Sequence, residues 1–211
     1  MAYGTMKLGI KGLEEVGKQL KKIEKSTEKV IKNTASDMRK RAPGRVADVI
    51  RQTYNIKKSD ILQSNKVEEG KASVKLKGSF GKNFRIVYQG DRLSPTHFGM
   101  TPKVPPAGRS YTLRMQVFKG KKVVIGRYKA KKKAGGPFSR QSHNILMPTR
   151  SGNYLPFQRM SADKNDLKAF RTLAIPQMVT NEKVNKEISK EVLAMMENRL
   201  EHHVNRELSK R

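Results

Sequence analysis

The sequence predicts an α+β fold, in which a small antiparallel sheet is accompanied by a long N-terminal and a long C-terminal amphipathic helix. Apolar residues recur at helical spacing near both ends of the chain, and short segments of alternating polarity lie between them. A length of 211 residues favours one domain, residues 1–211, and an apolar content of 36% is sufficient for a small core.

The N-terminal part predicts a short strand followed by helices. Residues 6–10 alternate between apolar and polar side chains, as a strand with one buried face does. Over residues 13–42 apolar side chains recur every three or four positions, which predicts an amphipathic helix. Pro43-Gly44 is expected to end this helix, and short helices are expected over residues 45–63.

The middle of the chain predicts a basic β region over residues 72–160. Residues 111–126 contain two β-rich segments around a Lys-Gly turn, which favours a hairpin, and residues 144–157 predict a second pair of strands. Two long loops are expected at residues 94–110 and 129–137, which are rich in Pro, Gly or Lys. Loops of this length are usually functional, or are ordered only by a partner.

The C-terminal segment predicts a helix over residues 181–209. Asn181 can cap it, and an apolar residue follows at every fourth position from Val184 to Leu208. A stripe with a spacing of four drifts around a helix of 3.6 residues per turn, so its contacts can pass from the core to a neighbouring subunit. The candidate subunit contacts are Val192, Met196, Leu200 and Val204.

Charge is the strongest compositional signal. The chain has 46 Lys and Arg against 18 Asp and Glu, a net charge of +28. Residues 92–162 contain 15 Lys and Arg but no acidic residue. Such an excess indicates neutralisation by nucleic acid or by an acidic protein assembly. An otherwise ordinary basic soluble domain is the remaining interpretation.

The composition also excludes several kinds of chemistry. Without Cys there is no disulfide scaffold, no thiolate catalysis and no Cys-ligated metal. Nucleotide-binding and hydrolase motifs are missing, and His97, His143, His202 and His203 lack the spacing of a zinc pair, so they are expected at polar surface or boundary positions. We expect no catalytic residue, cofactor or metal. We also expect no membrane partner, because no apolar run approaches roughly 20 residues.

Two clusters of basic residues are the candidate contact sites. Because no motif for sequence-specific readout is present, any DNA contact would be to the phosphate backbone and would depend strongly on salt. Contact with an acidic protein and a simple solvated charge run are the alternatives for the same residues. These residues are Lys119, Lys121, Lys122, Arg127, Lys129, Lys131, Lys132 and Lys133.

Three segments resemble the minor tail protein Z family of long-tailed bacteriophages. Residues 12–20 resemble the family's opening, a glycine followed by an amphipathic helix, and residues 54–61 resemble the segment after its first helices. Ala174-Ile-Pro-Gln-Met178, followed by residues 181–184, is similar to the stretch that leads into its last helix. The last of these segments is the most specific.

This resemblance implies a structural role in the virion. The chain would complete the tail at its head-proximal end and help to join the tail to the head, as a subunit of a ring that is assembled in the host cytoplasm and expected to be sixfold. The implied partners are the tail terminator, the tail tube and head-tail connector proteins, and a non-specific contact with the DNA end is a further expectation. The alternatives are a basic ribosome- or DNA-associated protein that binds nucleic acid non-specifically, and a nuclease.

Overall fold

The computed structural model describes residues 2–7, 24–62, 73–77, 85–106, 109–128, 144–150, 152–161 and 166–209. Their helices and small antiparallel sheets confirm the predicted α+β class, with a long helix toward each end. None of these helices combines the length and apolar character that crossing a bilayer requires. The elements are β1 (Ala2–Lys7), α1 (Glu24–Thr53), α2 (Lys58–Ile61), β2 (Ser73–Lys77), β3 (Arg85–Gly90), a 3-10 helix (Pro95–Phe98), β4 (Tyr111–Met115), β5 (Val123–Tyr128), β6 (Asn144–Pro148), β7 (Tyr154–Arg159), β8 (Leu167–Ala169), α3 (Ile175–Thr180) and α4 (Glu182–Leu208).

Helix α1 continues through Pro43, so the prediction that the helix ends there is wrong. A proline inside a helix costs about 3 kcal/mol, because it removes a hydrogen bond and its ring clashes with the preceding turn. Val46 and Ile50 lie beyond it and are fully buried, and each such side chain contributes about 1.5–3 kcal/mol on burial. Packing after the proline therefore outweighs its cost. Of the short helices predicted at 45–63, only α2 is separate, and residues 13–23 lie outside the described ranges.

Helices α1 and α4 lie side by side and run in opposite directions. Residues early in α1 pair with residues late in α4, and residues later in α1 pair with residues earlier in α4. The ion pairs are Lys29 with Glu207 at 3.4 Å, Asp37 with Arg199 at 3.9 Å, and Arg45 with Glu191. The predicted cap of α4 is confirmed, since the Asn181 side chain accepts a hydrogen bond from the Val184 N–H at 3.4 Å.

The main core joins both long helices to α3 and to the first sheet. In that sheet β3 lies in the centre and is antiparallel to β1 and β2. The strand predicted at residues 6–10 instead begins at Ala2, because pairing with β3 extends to the pair Ala2–Gly90. Residues 8–10 lie outside the described ranges. Core side chains from all four parts include Met38, Ile50, Ile86, Tyr88, Ile175, Met178, Ile188 and Val192.

The predicted basic β region, residues 72–160, is divided among three sheets: β2 and β3 belong to the first sheet, and β4 to β7 form two others together with β8, which lies beyond residue 160. Both predicted hairpins are confirmed. β4 pairs with β5, and β7 pairs with β6 on one side and with β8 on the other. A second, much smaller core of Met100, Leu113 and Leu146 links them. The predicted loop at 94–110 is corrected in part: it contains the 3-10 helix, whose Phe98 is fully buried. The loop predicted at 129–137 lies outside the described residues.

Candidate interaction surface

Residues 111–128 form a hairpin that we call the basic hairpin. Its strands β4 and β5 are antiparallel, with a register shift between Leu113 and Arg114. A turn follows β4, in which the Lys121 N–H donates to the Phe118 carbonyl at 3.2 Å. Gly120 has φ +78°, a left-handed conformation that side-chain-bearing residues rarely adopt. The Lys-Gly pair in the sequence therefore indicated this turn correctly.

The basic hairpin is attached to the rest of the molecule along β4 and at its turn. On β4, Thr101 and Arg114 exchange two backbone hydrogen bonds of 2.8 Å. At its turn, the Lys119 N–H donates to the Thr53 carbonyl at 3.0 Å, and the Phe118 ring lies 5.0 Å from the ring of Tyr54. The hairpin is thus fixed to the C-terminal end of α1.

Three of the predicted contact residues lie on the turn side of this hairpin and one lies on β5. Lys119, Lys121, Lys122 and Arg127 are all solvent-exposed. None of the four has an ion pair with a carboxylate among the described residues, which agrees with the absence of acidic residues from 92 to 162. The structure therefore brings these four cations together on one hairpin. Lys129, Lys131, Lys132 and Lys133 lie outside the described ranges.

Exposed apolar residues lie among these cations. Val123, Val124 and Phe118 are 41%, 50% and 44% exposed. Successive residues of a strand point to opposite faces, so Val123 and Val124 leave both faces of β5 uncovered at its start. This apolar component is not apparent from the sequence, because Lys122-Val-Val-Ile125 also fits a buried strand.

The tyrosines around the hairpin are neutral over the ordinary pH range. Burial raises the pKa of Tyr54 and of Tyr111 above the usual value for a phenol, because desolvation disfavours the anion. The Tyr88 hydroxyl in the main core is more deeply buried, and its pKa is raised further. The positive charge of the hairpin is therefore not reduced by tyrosine ionisation near neutral pH.

The predicted subunit stripe is divided by the structure. Val192 and Met196 are buried in the core of this chain, so the prediction that they contact a neighbouring subunit is corrected. Leu200 and Val204 are only half-buried. The stripe drifts out of the core as a spacing of four requires, and subunit contact stays a prediction for its last two residues.

Asp37, Arg199 and His203 form a polar cluster between α1 and α4 that was not predicted from the sequence. His203 is buried, contrary to the expected surface or boundary position, and Asp37 Oδ2 lies 3.1 Å from its Nε2. His203 continues the buried series at helical spacing, seven residues after Met196, whereas Val204 follows the spacing of four. The 3.6-residue period of the helix is therefore the sequence feature that predicts burial of His203. In the described part of the chain, His203 Nδ1 is buried without a hydrogen-bond partner.

Metal-ligand geometry and similarity to known proteins add no further assignment. Within the described ranges, no three His, Asp or Glu side chains lie close enough together to hold a metal ion. Comparisons with protein-family models, curated proteins and solved structures gave no match. The basic hairpin is therefore the candidate interaction surface on physical grounds alone.

Proposed function

We propose that this chain is a structural virion protein of a long-tailed bacteriophage, which completes the tail at its head-proximal end and takes part in head-tail joining. The resemblance of three segments to the minor tail protein Z family suggests this role. In it the chain is a subunit of a ring, with six copies as the expected number, and no residue performs covalent chemistry. The partners are the tail terminator, tail tube and connector proteins.

The observation that carries the proposal is the composition of the basic hairpin. Its exposed valines and Phe118 lie beside four exposed cations. Contact with a phosphate backbone needs cations but gains little from uncovered Val side chains. Protein interfaces combine an apolar centre with a charged rim. An acidic protein surface with an apolar patch therefore fits this hairpin better than nucleic acid alone does.

Charge reversal on the hairpin tests the partner surface. A variant with Lys119, Lys121 and Lys122 changed to Glu is expected to lose association with purified tails. The matched control changes three exposed helical residues, Lys40, Lys183 and Lys190, to Glu, which removes the same charge from the molecule. Binding by the control but not by the hairpin variant supports the proposal. Equal loss in both variants would mean that net charge alone determines association.

The position and assembly state of the chain test the role itself. Labelling in purified particles is expected to mark the head-proximal end of the tail, and native mass spectrometry is expected to show a ring. Changing the half-buried Leu200 and Val204 to Gln is expected to weaken the ring while the monomer stays folded. A monomer at every concentration that is missing from particles contradicts the proposal.

Non-specific binding to nucleic acid is the second candidate function. It is favoured by the four exposed cations of the hairpin, which form no ion pair within the described ranges, and by the acid-free stretch of 71 residues around them. It predicts retention of DNA or RNA by the purified protein, with an affinity that falls steeply as salt is raised. The three hairpin substitutions to Glu would then flatten that salt dependence, whereas unchanged DNA affinity with lost tail binding favours the virion role.

A further inference from the structure

A polar groove with a volume of about 620 Å³ is lined by residues outside the basic hairpin. The segment before α2 supplies Lys57 to its lining, and the loop after the 3-10 helix supplies Lys103. The turn between β6 and β7 supplies Thr149 and Asn153, and Arg171 follows β8. Residues that are remote in sequence therefore place three cations around one concave site.

The single carboxylate among the described lining residues, that of Asp60, is hydrogen-bonded to a histidine. Asp60 Oδ2 lies 3.0 Å from His97 Nδ1, and an ionised carboxylate can only accept, so this nitrogen is the donor. Lys57 and Lys103 are exposed and have no ion pair with a carboxylate in the described part of the chain. Lys57, Lys103 and Arg171 against Asp60 give these four lining side chains a formal charge of +2.

Hydroxyl groups complete the polar lining. Ser94 and Thr96 hydrogen-bond to each other through their hydroxyls, so one of the two retains its hydrogen for a third group. The Thr149 N–H and hydroxyl both donate to the Asn153 carbonyl, at 2.7 and 2.8 Å, which fixes the β6–β7 turn. The His97 N–H donates to the Ser94 carbonyl at 3.2 Å, which fixes the opposite segment. The lining is therefore held in place by backbone bonds.

We propose that this groove binds a terminal phosphate monoester, carried by a nucleotide or by the 5′ end of a nucleic acid. A phosphate monoester presents three terminal oxygens and up to two negative charges, which match three cations and the one hydroxyl hydrogen left over between Ser94 and Thr96. Arg is suited to bind two of these oxygens at once. The carboxylate of an acidic peptide has two oxygens in one plane and would use fewer of these donors.

The size and the apolar part of the groove agree with a nucleotide. Pockets for small ligands span about 300–1,000 Å³, and the groove lies within that range. Tyr154 and Leu155, both half-buried, also line it and offer apolar surface to a sugar or base. The inference does not depend on the proposed virion role, since it rests on a different surface.

Calorimetric titration of the full chain tests the site. The probes are a nucleoside 5′-monophosphate, a 5′-phosphorylated single-stranded oligonucleotide, the same oligonucleotide with a 5′-hydroxyl, and a Glu-rich peptide. Arg171→Gln and, separately, Lys103→Gln are expected to weaken phosphate binding about tenfold. Lys190→Gln, an exposed substitution on α4 with the same change in charge, is the control and is expected to leave the affinity unchanged.

Each outcome decides for or against the site. Tight binding of the mononucleotide identifies a nucleotide as the source of the phosphate, and tight binding only of the phosphorylated oligonucleotide identifies a nucleic-acid end. Amide chemical shifts that move at Ser94, Thr96, His97, Asn153 and Tyr154 support the groove even if one variant proves unstable. Equal affinity for the 5′-hydroxyl oligonucleotide, equal loss in Lys190→Gln, or tighter binding of the acidic peptide would overturn the inference.

Discussion

The α1–α4 pair and the basic hairpin differ in what stabilises them. The helix pair has a continuous series of fully buried side chains, among them Met38, Ile50 and Ile188, and several cross-helix ion pairs. In the hairpin, Leu113 belongs to a core of only three buried residues and Val117 lies in the main core, and backbone hydrogen bonds hold β4 and the turn. Stability and the uncompensated positive charge therefore lie in different parts of the chain.

The distribution of acidic residues explains this division. Asp37, Glu191 and Glu207 all lie on the two long helices and face cations of the opposite helix. No carboxylate occurs in the sequence from residue 92 to 162, so the hairpin cations have none nearby along the chain. Ion pairs within the chain therefore neutralise several charges of the helix pair. The positive charges of the hairpin stay available for contact with other molecules.

The largest effect is expected from Ile188→Ala in the helix pair. Ile188 is fully buried, so the substitution leaves a cavity and is expected to lower the free energy of unfolding by about 3 kcal/mol. Leu208→Ala, on the same helix but 50% exposed, is the control and is expected to stay within about 0.5 kcal/mol. Denaturant unfolding followed by circular dichroism measures both. Similar values for the two would show that α4 does not stabilise the molecule through its buried face.

Leu113→Ala tests whether the hairpin opens separately from the helices. We expect a loss of about 2 kcal/mol, at the low end for a buried Leu, because few buried neighbours surround it. Amide hydrogen exchange is expected to accelerate in β4, β5 and β6 while α1 and α4 keep their protection. Uniform acceleration through the helices would instead make the two regions one cooperative unit.

Asp37→Ala removes the acceptor shared by Arg199 and His203. His203 is buried and would lose its only hydrogen-bond partner in the described part of the chain, so we expect a loss of about 1.5 kcal/mol. Glu182→Ala breaks an exposed pair with Lys186 on α4 and is expected to cost about 0.3 kcal/mol. Thermal unfolding compares the two variants, and equal shifts would remove any special role for the buried cluster.

The smallest effect at neutral pH is expected from Tyr88→Phe. The hydroxyl of Tyr88 is buried without a hydrogen-bond partner in the described ranges, so its removal should change the free energy of unfolding by less than about 0.5 kcal/mol. Because burial raises the pKa of Tyr88 in the folded state, the folded chain retains this proton longer than the unfolded chain does. Stability should therefore fall as pH rises above the unfolded value of 10.0, and the variant should lose part of that decline. An identical alkaline profile for both chains contradicts this account.

The elements with regular patterns were predictable from sequence. The spacing of apolar residues and the Asn181 cap predicted α4 within one residue at each end, and alternating segments with a Lys-Gly turn predicted the basic hairpin. These signals are local, because each element carries its own pattern and turn residues. The candidate cations at 119, 121, 122 and 127 were found for the same reason, since charge is visible in the sequence.

The predictions fail where contacts between residues distant in sequence determine the structure. Pro43 is a local signal for a helix end, but α1 continues to Thr53 because residues beyond the proline are buried in the core. Strand β8 has only three residues in a charged segment and exists through its pairing with β7. The groove joins Lys57, His97 and Arg171 from distant parts of the chain, and no sequence pattern brings them together.

The attachment of the hairpin turn to the last turn of α1 has a mechanical consequence. Helix α1 has 30 residues and is therefore about 45 Å long. A neighbour that pulls on the turn also pulls on Thr53 through the Lys119 N–H, and on Asn55, whose N–H donates to Val117. A force applied at the exposed cations would thus be transmitted along the axis of α1 and shared with α4, which packs against it.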